Sequence, residues 1–216
     1  MRLYKETISE LLWHVLNKLM EFEELNSFRL VGGTSLSLLL GHRISIDIDL
    51  FTDAEYNSID FTAIDKLFTS SFGYVDNGLS GNNSFGKSYF IGDSKEDTVK
   101  VDLFYTDTFY YPILQHDSLR ISQLEEIVAM KLEVIGQNGR KKDFWDIHEL
   151  MEHFSWQHMF GFYKKRYPYG YTEKELTEKL TDFKLADLDL DPICLKDKYW
   201  ELIKLDIEES IVDYFR

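Results

Sequence analysis

Two aspartates, Asp47 and Asp49, stand two residues apart in a run that alternates polar and apolar types, Ser45-Ile46-Asp47-Ile48-Asp49-Leu50. The alternation predicts a strand with Ser45, Asp47 and Asp49 on one face and Ile46, Ile48 and Leu50 turned to the core. The carboxylates then lie side by side, about 7 Å apart along the backbone. Like charges at that spacing raise each other's pKa, and a divalent cation relieves the conflict. Asp-x-Asp on a strand is a common way of offering hard oxygen ligands to Mg²⁺. Alone, the pattern fits an outward polar face in water equally well.

A second strand, Val99-Lys100-Val101-Asp102-Leu103-Phe104, carries another aspartate among residues that favour strands. If the two strands are neighbours, Asp102 joins Asp47 and Asp49 in one cluster. Three carboxylates can hold two Mg²⁺ ions, an arrangement suited to phosphoryl and nucleotidyl transfer. Upstream, Val31-Gly32-Gly33-Thr34-Ser35 reads as a strand running through glycines into a helix, whose free amides can bind phosphate. Gly-Gly before a helix is more often a plain turn, but here Thr and Ser follow at once.

Lys131 falls in the middle of the apolar stripe Leu124, Ile127, Val128, Ile135 of a helix expected over 122–137, opened by a Ser122-x-x-Glu125 capping box. A lysine there is costly unless it meets an anion or snorkels past the edge of the core. In the next helix Asp143 lies within the stripe of Phe144, Ile147, Leu150, Met151 and Phe154, and Asp146 at its border. Together these suggest an internal polar network or a ligand site. His148, His153 and His158 are five apart, share no helical face and read as ordinary histidines. Lys164-Lys165-Arg166 reads as a solvated face, and Arg140-Lys141-Lys142 as the better place to touch an anionic acceptor.

The elements that must position these residues follow from periodicity. Helices are expected over 5–25, 34–40 and 60–72, a strand at 28–31, and strand-like chain over 73–105 with turns at Asp76-Asn77-Gly78 and Gly81-Asn82-Asn83. From residue 122 the chain reads as helix. The expectation is an α/β (α+β) fold: a mixed-sheet unit over 1–118 and a helical region over 119–216. At 216 residues with 44% hydrophobic and 29% charged side chains, the composition is that of a soluble globular protein. The single Cys194 excludes an internal disulfide. No apolar run reaches the ~20 residues of a membrane span, and the N-terminus lacks a signal-peptide pattern, so the chain reads as cytoplasmic with no membrane partner. A net charge of −14 opposes nucleic acid at long range without excluding a local contact.

The order of motifs resembles the AbiEii/AbiGii toxin family of nucleotidyltransferases. The resemblance rests on Gly32-Gly33-Thr34-Ser35-Leu36, on Arg43-Ile44-Ser45-Ile46-Asp47-Ile48-Asp49-Leu50-Phe51, on Val101-Asp102-Leu103, on Lys131 and on Asp143-Phe144-Trp145-Asp146, and covers residues 28–155. It implies a polymerase-β-like core that moves an NMP from an NTP to an acceptor hydroxyl, an RNA (tRNA) 3′ end or a protein side chain. By position it implies that Gly32, Gly33, Thr34, Ser35, Arg43 and Ser45 bind nucleotide and that Asp47, Asp49 and Asp102 hold Mg²⁺, with Mn²⁺ as a substitute. Lys131 would contact the triphosphate, and Asp143 and Asp146 would be the late acidic positions. Relatives often carry a basic residue where this chain has Asn138, with Arg140 shortly after. The resemblance also implies an antitoxin encoded alongside. Two rivals remain at this point: an Asp-x-Asp glycosyltransferase, which leaves the glycine turn and Lys131 unexplained, and a non-catalytic interaction module on the same fold.

Overall fold

The computed structural model describes residues 2–76 and 85–216. The turns expected at 77–78 and 81–83 lie outside the described residues. The N-terminal helix α1 (Glu10–Glu21) is shorter than its periodicity predicted, because Ser9 caps it by accepting from Leu12 N. Leu12, Val15, Leu16, Leu19 and Met20 are its buried residues. Strand β1 (Arg29–Val31) runs directly into α2 (Gly32–Leu40), which Gly41 ends in the left-handed region at φ 68°. Then come β2 (Asp47–Thr52), α3 (Phe61–Ser71, capped by Asp60), β3 (Tyr74–Asp76), β4 (Gly86–Ser94) and β5 (Asp97–Tyr105). A hairpin of β6 (Leu114–His116) and β7 (Leu119–Ile121) leads to the helices α4 (Leu124–Gly136), α5 (Lys141–Leu150), α6 (Trp156–Arg166), α7 (Glu173–Leu180) and α8 (Trp200–Tyr214).

The strands form one mixed sheet in the order β3-β4-β5-β2-β1-β7-β6, with β2 at its centre. β2 lies parallel to β5 and antiparallel to β1. One face is buried under α1 and α3, where Leu12, Leu16, Ile48, Leu50, Ile64, Phe68, Val101 and Leu103 share a core. A second core joins Leu36 and Leu40 of α2 to Ile127, Leu132, Phe144, Trp145, Phe160 and Trp200 of the C-terminal helices. α2 therefore serves both cores. The boundary expected at 118 falls inside the β6–β7 hairpin, and β7 pairs with β1 through Leu30 and Ile121, so the sheet extends past it.

Three local expectations are corrected. β2 starts at Asp47, not Ser45, and Ile46 is 69% exposed. Just before it the chain leaves the sheet: Ile44 N donates to Ile193 O, Leu195 N to His42 O, and Ser45 N to Thr7 O. Ser122 does not cap α4; the cap position is Gln123, and the buried Ser122 hydroxyl has no hydrogen-bond partner among the described residues. Arg166 is not solvated: it is 4% exposed and lies 2.7 Å from Glu126. Among the described residues no helix is long and apolar enough to cross a membrane.

Candidate active site

The β1–α2 turn fixes one wall of the site. Gly32 adopts φ +70°, and a Cβ there would meet Asp49 Oδ2 at 2.3 Å. A Cβ on Gly33 would meet Arg43 Nη2 at 2.5 Å. A side chain at either position would displace these site groups, and at Gly32 the backbone itself favours glycine. Thr34 Oγ1 lies 2.8 Å from Ser45 Oγ and donates to the Asp47 carbonyl, fastening the start of α2 to the start of β2. Thr34 and Ser35 are fully buried, so their hydroxyls are not presented to a ligand. Among the described residues no side chain caps the first turn of α2, which leaves its leading amides as potential anion donors.

The second wall is the parallel pair β2–β5. Its register sets Asp49 opposite Asp102 and Asp47 opposite Lys100. Burial, then the neighbouring Asp102 charge, pushes the Asp49 carboxyl up to about 6. Lys100 Nζ donates to Asp102 Oδ2 at 2.5 Å, while Asp102 Oδ1 is buried without a hydrogen-bond partner among the described residues. Lys142 Nζ lies 3.7 Å from Asp47 Oδ2.

The third wall comes from α4 and α5. Asn138 takes the left-handed conformation (φ 67°) in the turn between them. Arg140 N donates to Asp143 Oδ2 and Asp143 N to Arg140 O, which starts α5. Lys131, on the apolar stripe as the sequence placed it, does not snorkel: Nζ sits 2.7 Å from Asp143 Oδ1 and 2.6 Å from Asp146 Oδ2. Asp146 is fully buried and also receives Arg43 through Nε (2.7 Å) and Nη2 (2.8 Å), with His42 Nε2 at 2.7 Å. Burial would raise the Asp146 carboxyl, but Arg43, Lys131 and the bond from His42 outweigh it and hold it well below the carboxylate range. Burial would likewise lower Lys131; Asp143 and Asp146 reverse this and raise it.

The walls enclose a cavity of about 290 Å³. Gly32, Gly33, Asp47, Asp49, Arg43, Lys131, Arg140, Lys142 and Asp143 line its polar side, and Phe51, Ile127, Met130, Val134 and Tyr167 its apolar side. Of the residues singled out in the sequence, Thr34, Ser35, Asp102 and Asp146 do not line it. Thr34 and Asp146 brace those that do, and Asp102 lies opposite Asp49 on the neighbouring strand. The expected basic triplet divides: Arg140 is exposed, Lys142 faces the cavity, and Lys141 is buried with Nζ 2.9 Å from Asp191. Phe51 was legible as the next odd position after Asp47 and Asp49. Tyr167 carried no sequence signal, and neither did His42.

Among the described residues no three Asp, Glu, His or Cys side chains converge as a closed metal-binding group; Asp102 is held by Lys100, and Lys142 lies beside Asp47. The donor set nevertheless fits a hard divalent cation. All candidate ligands are carboxylate oxygens, Asp102 Oδ1 lacks a hydrogen-bond partner among the described residues, and Asp49 is crowded by a like charge that a cation would offset.

Comparison with known proteins extends the similarity over nearly the whole chain. Residues 14–209 match the family model described as nucleotidyl transferase AbiEii toxin, type IV TA system. The uncharacterised protein aq_aa25 of Aquifex aeolicus (strain VF5) is 29% identical over 209 residues, covering 93% of this chain and 86% of that protein. Among solved structures, JHP933 from Helicobacter pylori superposes with a TM-score of 0.59 at 19% identity, covering 93% of this chain and 87% of that one. MenT4, a nucleotidyltransferase toxin from Mycobacterium tuberculosis H37Rv, gives a TM-score of 0.59 at 14% identity, covering 93% and 81%. At these identities the two structures establish a common fold.

Proposed function

The chain belongs to the AbiEii family of nucleotidyl transferase toxins, and on that footing we propose that it is a Mg²⁺-dependent enzyme that moves an NMP from an NTP to an acceptor hydroxyl and releases pyrophosphate. The acceptor is an RNA 3′ end or a protein side chain, the reaction takes place in the cytoplasm, and an antitoxin encoded alongside restrains its effect. The observation that carries this reading is the single cavity in which the glycine turn, the β2 carboxylates, Lys131 of α4 and the basic start of α5 meet.

In this reading the Gly32-Gly33 turn holds the triphosphate, since it lines the cavity and the first turn of α2 shows no side-chain cap among the described residues. Asp47, Asp49 and Asp102 would hold the divalent cations, which supply charge neutralisation and alignment of the attacking oxygen when bound. Asp49, with its raised pKa, must give up its proton before it can act as a ligand. Arg43 and Lys131, locked together through Asp146, keep α4, α5 and the turn in one fixed arrangement, so the cavity needs little reorganisation on binding. The apolar side around Phe51, Met130 and Tyr167 offers flat contact to a base and excludes water.

The test is incubation of the protein with each labelled NTP, Mg²⁺ and a cell extract, beside an Asp49→Ala control. Label in RNA or protein that needs Asp49 supports the proposal. Label in glycan from a sugar nucleotide would make the protein a glycosyltransferase, and no transfer from any donor would leave it an interaction module.

A further inference from the structure

A second concavity, of about 570 Å³, lies beside the site and shares Arg43, Ser45, Arg140 and Lys142 with it. It is lined further by Ile44 and Ile46, before β2, and by the 188–193 segment, between α7 and α8. Ile46, Leu188, Leu190 and Ile193 stand in it 66–94% exposed and contribute to neither core. Single apolar side chains in water are ordinary, but four around one groove mark a contact surface. Nor is their exposure that of a loose loop. Asp189 Oδ2 accepts from Lys141 N and Asp191 Oδ1 from Lys141 Nζ, both at 2.9 Å. Ile193 O accepts from Ile44 N, and Leu195 N donates to His42 O, again at 2.9 Å. The backbone is thus pinned on both sides of Pro192, and a surface held in this way loses little conformational freedom on binding.

Charge selects the occupant. Lys141 takes both carboxylates of the groove, and Asp146 takes Arg43. The cations left are at the end shared with the site. Arg140, its side chain 67% exposed, is 4.0 Å from Asp143, and Lys142 is 3.7 Å from Asp47, both beyond hydrogen-bonding distance. Among the described residues no aromatic side chain lines the groove, so it lacks the stacking surface that holds single-stranded nucleic acid. We infer that this groove seats a protein segment in which aliphatic side chains are followed by one or two carboxylates. The aliphatic part covers Ile46, Leu188, Leu190 and Ile193, and the acids meet Arg140 and Lys142. A net charge of −14 repels a longer acidic run, so the acids are few and confined to that end. The inference stands on the groove itself and does not depend on the nucleotidyltransferase reading.

Panning a displayed library of random dodecapeptides tests it, with wild type as target and Ile46→Ser/Leu190→Ser as counter-target. Both replaced side chains are exposed, so the double variant keeps its fold, which a thermal melt verifies. The most enriched peptide is then synthesised with a fluorescent label and titrated by anisotropy. Sequences with aliphatic residues followed by Asp or Glu are expected. Their affinity should fall at least about 10-fold in the double variant, as on truncating central anchors of an interface. Arg140→Ala should weaken the same peptide and flatten its dependence on salt. If panning yields no peptide that distinguishes the two proteins, or yields basic sequences, the inference is overturned. It is overturned equally if labelled oligouridylate binds wild type and is lost from the double variant while no peptide is, since the groove would then take nucleic acid.

Discussion

Asp49 and Asp102 stand opposite each other in the register of the parallel strands β2 and β5, and burial next to that second charge raises the Asp49 carboxyl to about 6. A carboxyl whose pKa is higher in the fold than in the unfolded chain opposes folding when ionised. The cost is absent below the unfolded value near 3.8 and complete above about 6.

Asp49→Asn is therefore expected to stabilise the metal-free protein at pH 7.5 by up to about 3 kcal/mol, and to leave stability nearly unchanged at pH 4. Urea unfolding in EDTA at the two pH values measures this. A variant less stable than wild type at pH 7.5 would show that Asp49 is supported by its neighbours rather than crowded by them.

Gly32→Ala tests the same carboxylate from the other side. The added Cβ would lie 2.3 Å from Asp49 Oδ2, and the backbone there has φ +70°. Backbone strain alone costs about 1–2 kcal/mol, and the clash adds to it. In the Gly32→Ala/Asp49→Ala double variant most of the steric part disappears, leaving only the Cβ of residue 49 at 3.3 Å, while the strain remains. The two substitutions should then be non-additive in chemical denaturation. Simple additivity would mean that Asp49 can swing away from the turn freely.

Asp146 joins three elements, since Arg43, Lys131 and His42 all converge on its buried carboxylate. Asp146→Ala leaves the buried Arg43 without its carboxylate and Lys131 with Asp143 alone, and is expected to destabilise the fold by about 3–5 kcal/mol. Lys141→Ala, which removes a buried lysine whose partner Asp191 is 61% exposed, should cost much less. Thermal melts of the two variants separate the effects. Equal losses would mean that Asp146 is not the centre of this network.

Much of the site was legible because its signals are local. The period of two in Ile46-Asp47-Ile48-Asp49-Leu50 needs only strand geometry, and Lys131 stood out because a lysine in an apolar stripe demands an anion. The pairing of Asp49 with Asp102 could be stated only as a condition, because it depends on which strands become neighbours across some fifty residues. Ile46 was assigned to the core because the alternation runs through it, yet the chain leaves the sheet there to meet residues 193–195. Thr34 looked like a phosphate hydroxyl. Its role as a brace follows from the approach of Ser45 and the Asp47 carbonyl, which no local pattern encodes. Lys141 and Arg166 were hidden inside basic triplets, where composition suggests solvent and helix rotation turns one member inward.

Arg166 gives the clearest test of that last point. Its guanidinium donates to Glu126 Oε2 at 2.7 Å, to Thr106 Oγ1 at 2.8 Å, and to the carbonyls of Asp107 and Thr108 at 3.1 Å. Glu126 in turn accepts from Tyr111 N at 2.7 Å and from Tyr110 N. This pair thus ties the 106–111 segment to α4 and α6, and Thr106 and Tyr167 at its edge line the cavity. Arg166→Ala leaves Glu126 buried and unpaired, so a loss of about 3–5 kcal/mol is expected, with faster amide exchange across 106–111. Arg166→Lys should recover little, because a single ammonium cannot reproduce a planar fork that reaches a carboxylate, a hydroxyl and two carbonyls at once. Lys164→Ala, on the exposed side of the same triplet, should stay within about 0.5 kcal/mol of wild type. Hydrogen exchange read by mass spectrometry checks the segment directly. Unchanged protection over 106–111 in Arg166→Ala would show that the backbone there is held by something other than this ion pair.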